Sequence, residues 1–484
     1  MNIIFGPGAL TFVAVYLTAM VAVGVLAKHL RRRETLKEFY LAGSGLGTLV
    51  LLLTLYATQY SGNALLGYPG EAYRLGFAWV MSVGFMMAVV VVYLSFAPEL
   101  RRAALNHAFV TPGDWIRYRF ESEGLTVAAN CVFLVAMCNY LLAQLLAMGH
   151  LVEALSGGSV PFWAGVLFLG VVILVYETLG GLKAVAWTDC AQGLLLIAGL
   201  AGILWIAVPE SGGLAHTSQW VIQNQPEKAA VPSGALLVTW VSTLVLVGFG
   251  AAMYPQALQR IYAASSSRTL ARSLQWMVFM PLVTMLPVLL IGIMALPRIS
   301  GLEGVAADQV MPLMLGQWAD LSPLAYALVV LLLTGTLAAI MSTADSVLLS
   351  LSSIISKDLL GRSWLRNAGD EALTRAGKRV SWLLMAVLVL IALNPRISLW
   401  GLAELKLELL SQTVPLFVLG ARWSGLGARP ALAGLVTGVV VAAGLSLAGY
   451  GKVAGVHAGV IGLAFNLVVC IALSRPFRVS RALE

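Results

Sequence analysis

Thr54-Leu55-Tyr56-Ala57-Thr58-Gln59-Tyr60-Ser61-Gly62-Asn63-Ala64-Leu65-Leu66-Gly67-Tyr68-Pro69-Gly70 sets a polar, glycine-containing patch in the middle of an otherwise apolar stretch. A helix facing lipid gains nothing from Thr-Gln-Tyr-Ser-Gly-Asn at mid-depth. Unwinding there would free carbonyls and amides that lipid cannot satisfy, so ions, a solute or neighbouring protein would have to do so. The competing reading is an intact helix whose small Ser61 and Gly62 let a neighbour pack closely.

The rest of the chain has the composition that makes mid-membrane depth meaningful. Of 484 residues, 60% are hydrophobic and 11% charged, against roughly 25% charged in soluble domains. The apolar residues come in uncharged blocks of about 20, the length that crosses a bilayer as helix. The polar stretches near 207–234, 299–322 and 356–379 are too short for a soluble domain of about 50 residues, so the work is expected in or across the membrane. No sizeable loop carries a catalytic carboxylate cluster, and an enzyme is not expected. The net charge of +8 falls at helix ends, which suits a lipid bilayer and not a nucleic-acid partner. Cys131, Cys138, Cys190 and Cys470 show no CxxC or Cys/His metal spacing. No charged residue precedes Lys28, so the first apolar run is expected to stay as a helix and not to be cleaved as a signal peptide.

Apolar windows between charged or Gly/Pro-rich breaks predict thirteen helices, near 7–27, 43–68, 76–97, 124–148, 161–178, 188–207, 235–255, 273–297, 323–352, 380–394, 398–420, 430–449 and 454–474. Alternating from an outside N-terminus puts all Lys and Arg in the cytoplasm except Arg74, Lys228, Arg298, Arg396, Lys406 and Lys452. This asymmetry satisfies the positive-inside rule and places the Arg475–Glu484 tail in the cytoplasm. The expected location is the plasma membrane, which in a bacterium is the inner membrane.

A second interruption is read at Val247-Gly248-Phe249-Gly250-Ala251-Ala252, ahead of Tyr254-Pro255; close helix packing by the two glycines is the alternative. Spans two to six and seven to eleven form five-helix sets of opposite orientation, each opening on an interrupted helix, as an inverted-repeat transporter requires. That divides a single transporter domain into an extra helix (7–27), a first repeat (43–207), a second repeat (235–420) and two further helices (430–474). In the ninth span, helical spacing puts Ser342, Asp345 and Ser346 on one face, with Thr343 about 100° around. Such oxygens suit a hard monovalent cation, although hydroxyls in helices also bond back to the i−4 carbonyl. Asp189, in Thr188-Asp189-Cys190, reads equally as an N-cap for span six or as an ion ligand. Glu404, Lys406 and Glu408 cannot comfortably face lipid; they fit an outer entrance, or a surface helix if span eleven starts later.

These pieces resemble the sodium:solute symporters, the family of the proline, pantothenate, sialic acid and sodium/glucose transporters. The matching segments are Phe39-Tyr40-Leu41-Ala42-Gly43, Ser61-Gly62, Leu66-Gly67-Tyr68-Pro69-Gly70, Ala72-Tyr73, Gly180-Gly181-Leu182-Lys183-Ala184-Val185, Thr188-Asp189, Gln192, Pro255, Gln259-Arg260 and Met341-Ser342-Thr343-Ala344-Asp345-Ser346. The resemblance implies an all-α integral membrane protein of the LeuT-type fold, with thirteen transmembrane helices in a five-plus-five inverted repeat. It implies Na+ as coupling ion, bound by the carbonyls of Ala57, Tyr60 and Ala339 and the hydroxyls of Ser342 and Thr343. A second cation site would fall on Asp189, Ser342, Asp345 and Ser346; Asp345 stands where several relatives have a hydroxyl, which leaves a second sodium, a proton or neither open. Solute contacts would be Gln59, Ser61, Gly62, Asn63 and Phe249. Gln59 replaces the acidic residue of the proline transporters, which argues against simply assigning proline.

The expected activity is sodium-coupled secondary active import of a small organic solute, an amino acid or small carboxylate, by alternating access. A monomer suffices for this, and an oligomer is compatible with it. The alternatives are a proton-coupled transporter of the same fold and a transporter-like solute sensor. A proton-pumping respiratory subunit would need ionisable residues along a chain of helices, whereas His29, His107, His150, His216 and His457 read as lying at ends or loops.

Overall fold

A computed structural model describes residues 6–31, 33–393 and 399–474, with the backbone alone at Pro7, Asn63, Val305 and 399–403. The calls on Arg32, Arg396 and the Arg475–Glu484 tail lie outside the described residues. The principal helices are α1 (Pro7–His29), α2 (Thr48–Gln59), α3 (Tyr68–Leu75), α4 (Met81–His107), α5 (Glu123–Leu155), α6 (Phe162–Gly180), α7 (Leu182–Glu210), α8 (Gly234–Ala252) and α9 (Pro255–Ala263). They continue with α10 (Ser267–Met277), α11 (Met280–Ala295), α12 (Pro323–Ser353), α13 (Asp370–Ala392), α14 (Leu399–Ser411), α15 (Val414–Arg422), α16 (Ala428–Leu447) and α17 (Ala458–Leu473). Every predicted window falls on one of these helices or on an adjacent pair. Among the described residues, nine helical stretches are by themselves long and apolar enough to cross a membrane.

The break at Tyr60 is real. After α2 the backbone opens to φ −98°, ψ 100° at Tyr60, and helical hydrogen bonding resumes as a wide π-turn over Asn63–Gly67. Ala64 and Leu65 both donate to the Ser61 carbonyl. Among the described residues, no backbone amide beyond the break bonds to the carbonyls of Ala57 or Tyr60, so those oxygens are left for other donors or for ions.

The second interruption lies later than the Gly248/Gly250 pair suggested. Helix α8 runs through both glycines to Ala252, and the chain turns at Met253–Tyr254. Pro255 dictates this position: it lacks an N–H and biases the preceding residue away from helix, and Tyr254 accordingly sits at ψ 119°. The glycines serve packing instead. A Cβ on Gly248 would lie 3.0 Å from Ala88, and one on Gly250 would lie 2.9 Å from the Leu407 carbonyl.

Close approach of α7 and α12 forms the spine of the molecule. A Cβ on Gly199 would meet Leu332 Cα at 2.7 Å, and one on Gly335 would meet Leu196 Cα at 3.0 Å. Small residues facing across in this way let backbones touch. Inside lie Tyr56, Tyr93, Phe96, Leu141 and Ile340, all buried. Outside, Val91, Leu390, Val440 and Val468 are each more than 60% exposed, an apolar surface that suits lipid and not water.

Candidate functional site

The two segments singled out by their polarity meet. Thr58 Oγ1 lies 3.4 Å from Ser346 Oγ, linking α2 to α12. A Cβ on Gly62 would fall 2.6 Å from Ile340 Cγ1, so only glycine lets the unwound segment lie against α12 here. Ser342, Thr343, Asp345 and Ser346 are all buried. The Thr343 hydroxyl donates to the Ala339 carbonyl at 3.0 Å, the back-bond that helical hydroxyls favour. That bond also brings together two of the oxygens expected to bind sodium.

Asp189 is not a helix cap. Helix α7 begins at Leu182 behind Gly181, whose φ of 60° and ψ of −153° turn the chain out of α6. Asp189 therefore sits about two turns inside, fully buried. Its carboxylate accepts the hydroxyls of Thr54 and Ser342 and an Arg260 Nη2–H at 2.9 Å. Arg260 also donates to Thr54 Oγ1 at 2.8 Å, the Gln256 carbonyl at 3.0 Å and Ser346 Oγ at 2.7 Å. Ser346 passes the chain on to Asp345 Oδ1 at 3.0 Å, while the Tyr176 hydroxyl donates to Asp345 Oδ2 at 2.5 Å.

Counting charges in this cluster is informative. Two buried carboxylates share one guanidinium, and the second negative charge meets only hydroxyl donors. A buried carboxylate is costly unless paired or neutralised, so the cluster can take one further monovalent cation or a proton. Among the described residues no group of three or more His, Cys, Asp or Glu could hold a metal ion, and hydroxyl and carboxylate oxygens favour hard cations. Arg260 belongs to this core, 1% exposed, and not to the cytoplasmic surface where the charge tally put it.

Beside the break a cavity of about 80 Å³ opens between α2, α4, α5, α8 and α14. Gln59 and Ser61 line it, together with Trp79, Phe85, Tyr140 and Tyr254. Gln59 donates to the Tyr93 hydroxyl at 2.6 Å, and among the described residues its own Oε1 has no hydrogen-bond partner. The other expected solute contacts are placed differently: Gly62 packs on α12, Phe249 is half-buried and outside the cavity lining, and the Asn63 side chain lies outside the described residues.

Helix α14 supplies what the sequence left ambiguous. It starts at Leu399, and Lys406 and Glu408 are 4% and 3% exposed, so the surface-helix reading does not hold. Lys406 and Glu404 line the same cavity as Gln59. Glu408 instead accepts the Ser446 hydroxyl of α16. Sequence reasoning also missed Thr54, Tyr140, Tyr176 and Tyr254 as members of this region. Their signal was weak because each is an ordinary residue of an apolar helix.

The sodium:solute symporter family profile matches residues 39–438. The osmoregulated proline transporter OpuE of Bacillus subtilis is 26% identical over 481 residues, covering 96% of this chain and 95% of that protein. The sodium/pantothenate symporter of Escherichia coli is 28% identical over 442 residues, covering 88% of each. Among solved structures, a substrate-bound, outward-open Na+-coupled sialic acid symporter superposes with a TM-score of 0.80 at 18% identity, covering 98% of this chain and 100% of the other. The nucleobase-cation-symport-1 family transporter Mhp1 does so with a TM-score of 0.52 at 14% identity, covering 90% and 93%. The fold is thus of the LeuT type.

Proposed function

The chain belongs to the sodium:solute symporter family, an integral membrane protein with Na+ as coupling ion, and from that premise we propose how it carries its cargo. Sodium enters from outside and binds the carbonyls of Ala57, Tyr60 and Ala339 with the hydroxyls of Ser342 and Thr343. The solute, an amino acid or small carboxylate, binds in the cavity beside Gln59 and Ser61. The relatives' named solutes, proline and pantothenate, both carry a carboxylate. Rocking of one helix bundle against the other then releases both into the cytoplasm. The N-terminus is outside, a monomer is sufficient, the two repeats span 43–207 and 235–420, and the location is the plasma membrane.

The observation carrying this reading is the junction of the two polar segments. The end of α2 and the hydroxyl face of α12 come within hydrogen-bonding range through the Thr58 and Ser346 hydroxyls, and Gly62 seats the unwound turn on Ile340. A hard cation needs several oxygens converging at one point, and this junction, with the Thr343 hydroxyl on the Ala339 carbonyl beside it, supports placing the cation here.

Uptake by proteoliposomes tests it. Ser342→Ala and Thr343→Ala are each expected to raise the half-saturating sodium concentration; unchanged sodium dependence in both would remove the assigned site. The unmatched charge of the Asp189–Asp345 cluster favours a second cation or a proton there. Asp345→Asn is expected to change ion stoichiometry or the pH dependence of uptake while leaving solute affinity at saturating sodium intact.

A further inference from the structure

Lys406 lies between the two helix breaks. Its ammonium sits 3.1 Å from the Tyr140 ring centroid and 5.4 Å from that of Tyr254, the residue at which the α8–α9 pair turns. The two rings are stacked, 5.3 Å apart and 28° from parallel, and form an electron-rich floor beneath the charge. Tyr140 shares the cavity wall with Gln59 and Ser61, so the lysine rests on a ring beside the other break.

What is absent around this ammonium is as telling. Among the described residues no carboxylate lies within 4.0 Å of Nζ, although thirteen ion pairs are formed elsewhere. Glu404, the acidic residue that shares the cavity lining, is 3.6 Å from Lys452. Two aromatic faces offset only part of the cost of removing an ammonium from water. The lysine is thus held at a deficit that an anion would relieve, and the space open to that anion is the solute cavity. An ionisable side chain at this depth in a membrane protein marks a substrate or ion pathway.

We propose that Lys406 is the carboxylate receptor of the cavity and that the cargo is a monocarboxylate without an ammonium group. This rests on the symporter reading above and narrows it. The remaining lining supports the choice: Trp79, Phe85 and Met86 offer an apolar bed. Among the described residues the amide acceptor of the lining without a hydrogen-bond partner, Gln59 Oε1, is neutral, and a solute ammonium beside Lys406 would meet a like charge while Glu404 is held by Lys452. A carboxylate on Lys406, with its body against the aromatic wall, uses each group as the structure presents it.

Two isosteric series test the proposal on the purified full chain by ligand-induced thermal stabilisation in sodium buffer. They are 3-phenylpropionate, 3-phenylpropionamide and phenylalanine, and propionate, propionamide and alanine. In at least one series the acid is expected to bind about 10- to 100-fold more tightly than its amide, the span set by a hydrogen bond to a charged group, and more tightly than its amino acid. Lys406→Gln should abolish the preference for acid over amide, and Lys406→Arg should retain it. The proposal is overturned if no acid stabilises the protein, if amide or amino acid equals the acid, or if Lys406→Gln still prefers the acid. The wild-type comparison decides even if Lys406→Gln does not fold. Acid binding that discriminates in this way but ignores sodium would uphold the carboxylate receptor and overturn the symporter reading instead.

Discussion

The buried pair Asp189–Arg260 gives the sharpest energetic test of the site. Both side chains are at most 1% exposed and 2.9 Å apart. At an effective dielectric of about 20, two unit charges at that distance attract by about 6 kcal/mol, and desolvation of both ions offsets most of it. Removing one partner leaves the other buried and uncompensated, which costs about 3–5 kcal/mol. Asp189→Asn and Arg260→Met keep volume while deleting charge, and Asn can still accept from one of the Thr54 and Ser342 hydroxyls and donate to the other. Each single variant should therefore be destabilised by about 3 kcal/mol or more. The double variant, with no stranded charge, should fall short of the sum by about 2 kcal/mol or more. Denaturant unfolding of the detergent-solubilised protein at neutral pH, followed by helix content, gives the four free energies of the cycle. Single-variant effects that add to within about 0.5 kcal/mol would show that the pair is not coupled, and the charge count for the second cation would lose its basis.

Other outcomes follow from packing and from charge outside the membrane. Gly62→Val should lower sodium affinity and cost about 1–3 kcal/mol as an overpacked contact, because even a Cβ would crowd Ile340 at 2.6 Å; Gly67→Ala, with nothing within 4 Å of its Cβ, is the control, and equal effects in sodium-titrated uptake would deny Gly62 its seating role. Asp114, at the start of the 112–120 helix, is buried, which opposes ionisation, yet Lys357 and the amides of Thr111 and Val110 overcome this and hold its carboxyl below the usual carboxylate value. A depressed folded value means stability is present above the unfolded value near 3.8 and lost as pH falls through the folded one, so melting temperature should drop below about pH 4 and Asp114→Asn should flatten that limb. An unchanged acid limb in Asp114→Asn would assign the loss to other groups.

The first break was legible because its residues are wrong for lipid whatever the fold: Gln59, Ser61 and Asn63 have no use at mid-depth on a continuous helix. The second was misplaced by a few residues because two glycines look like a break, and nothing local says that they are occupied by Ala88 and Leu407. Pro255 carried the truer signal. Asp189 resembled a cap because Thr188-Asp189 has the chemistry of one, whereas the helix start is set by Gly181, whose φ 60° with ψ −153° is a conformation essentially confined to glycine. For Arg260, the charge tally assumed that a basic residue past an apolar span reaches water; its carboxylate partner is far away in sequence. Lys406 was ambiguous for the same reason. A Glu-x-Lys-x-Glu pattern reports that a helix is charged, but only the fold determines that Tyr140 and Tyr254 receive the middle residue while Ser446 and Lys452 take its neighbours.

Tyr140 joins the solute side of the site to the ion side. Its ring carries the Lys406 ammonium and shares a cavity wall with Gln59 and Ser61 at the first break. In the proposed assignment, sodium is held by a lone pair of the Thr343 hydroxyl oxygen, whose proton stays on the Ala339 carbonyl. A carboxylate arriving at Lys406 shifts the charge resting on the same ring. In the proposed assignments both ligands thereby act on the wall that Tyr140 shares with Ser61, and whichever binds first sets that wall for the other. Binding free energies coupled in this way are reciprocal: if sodium tightens the acid by some factor, the acid tightens sodium by the same factor. A single shared wall can therefore make entry of cargo without ion unfavourable, with no contact between the two.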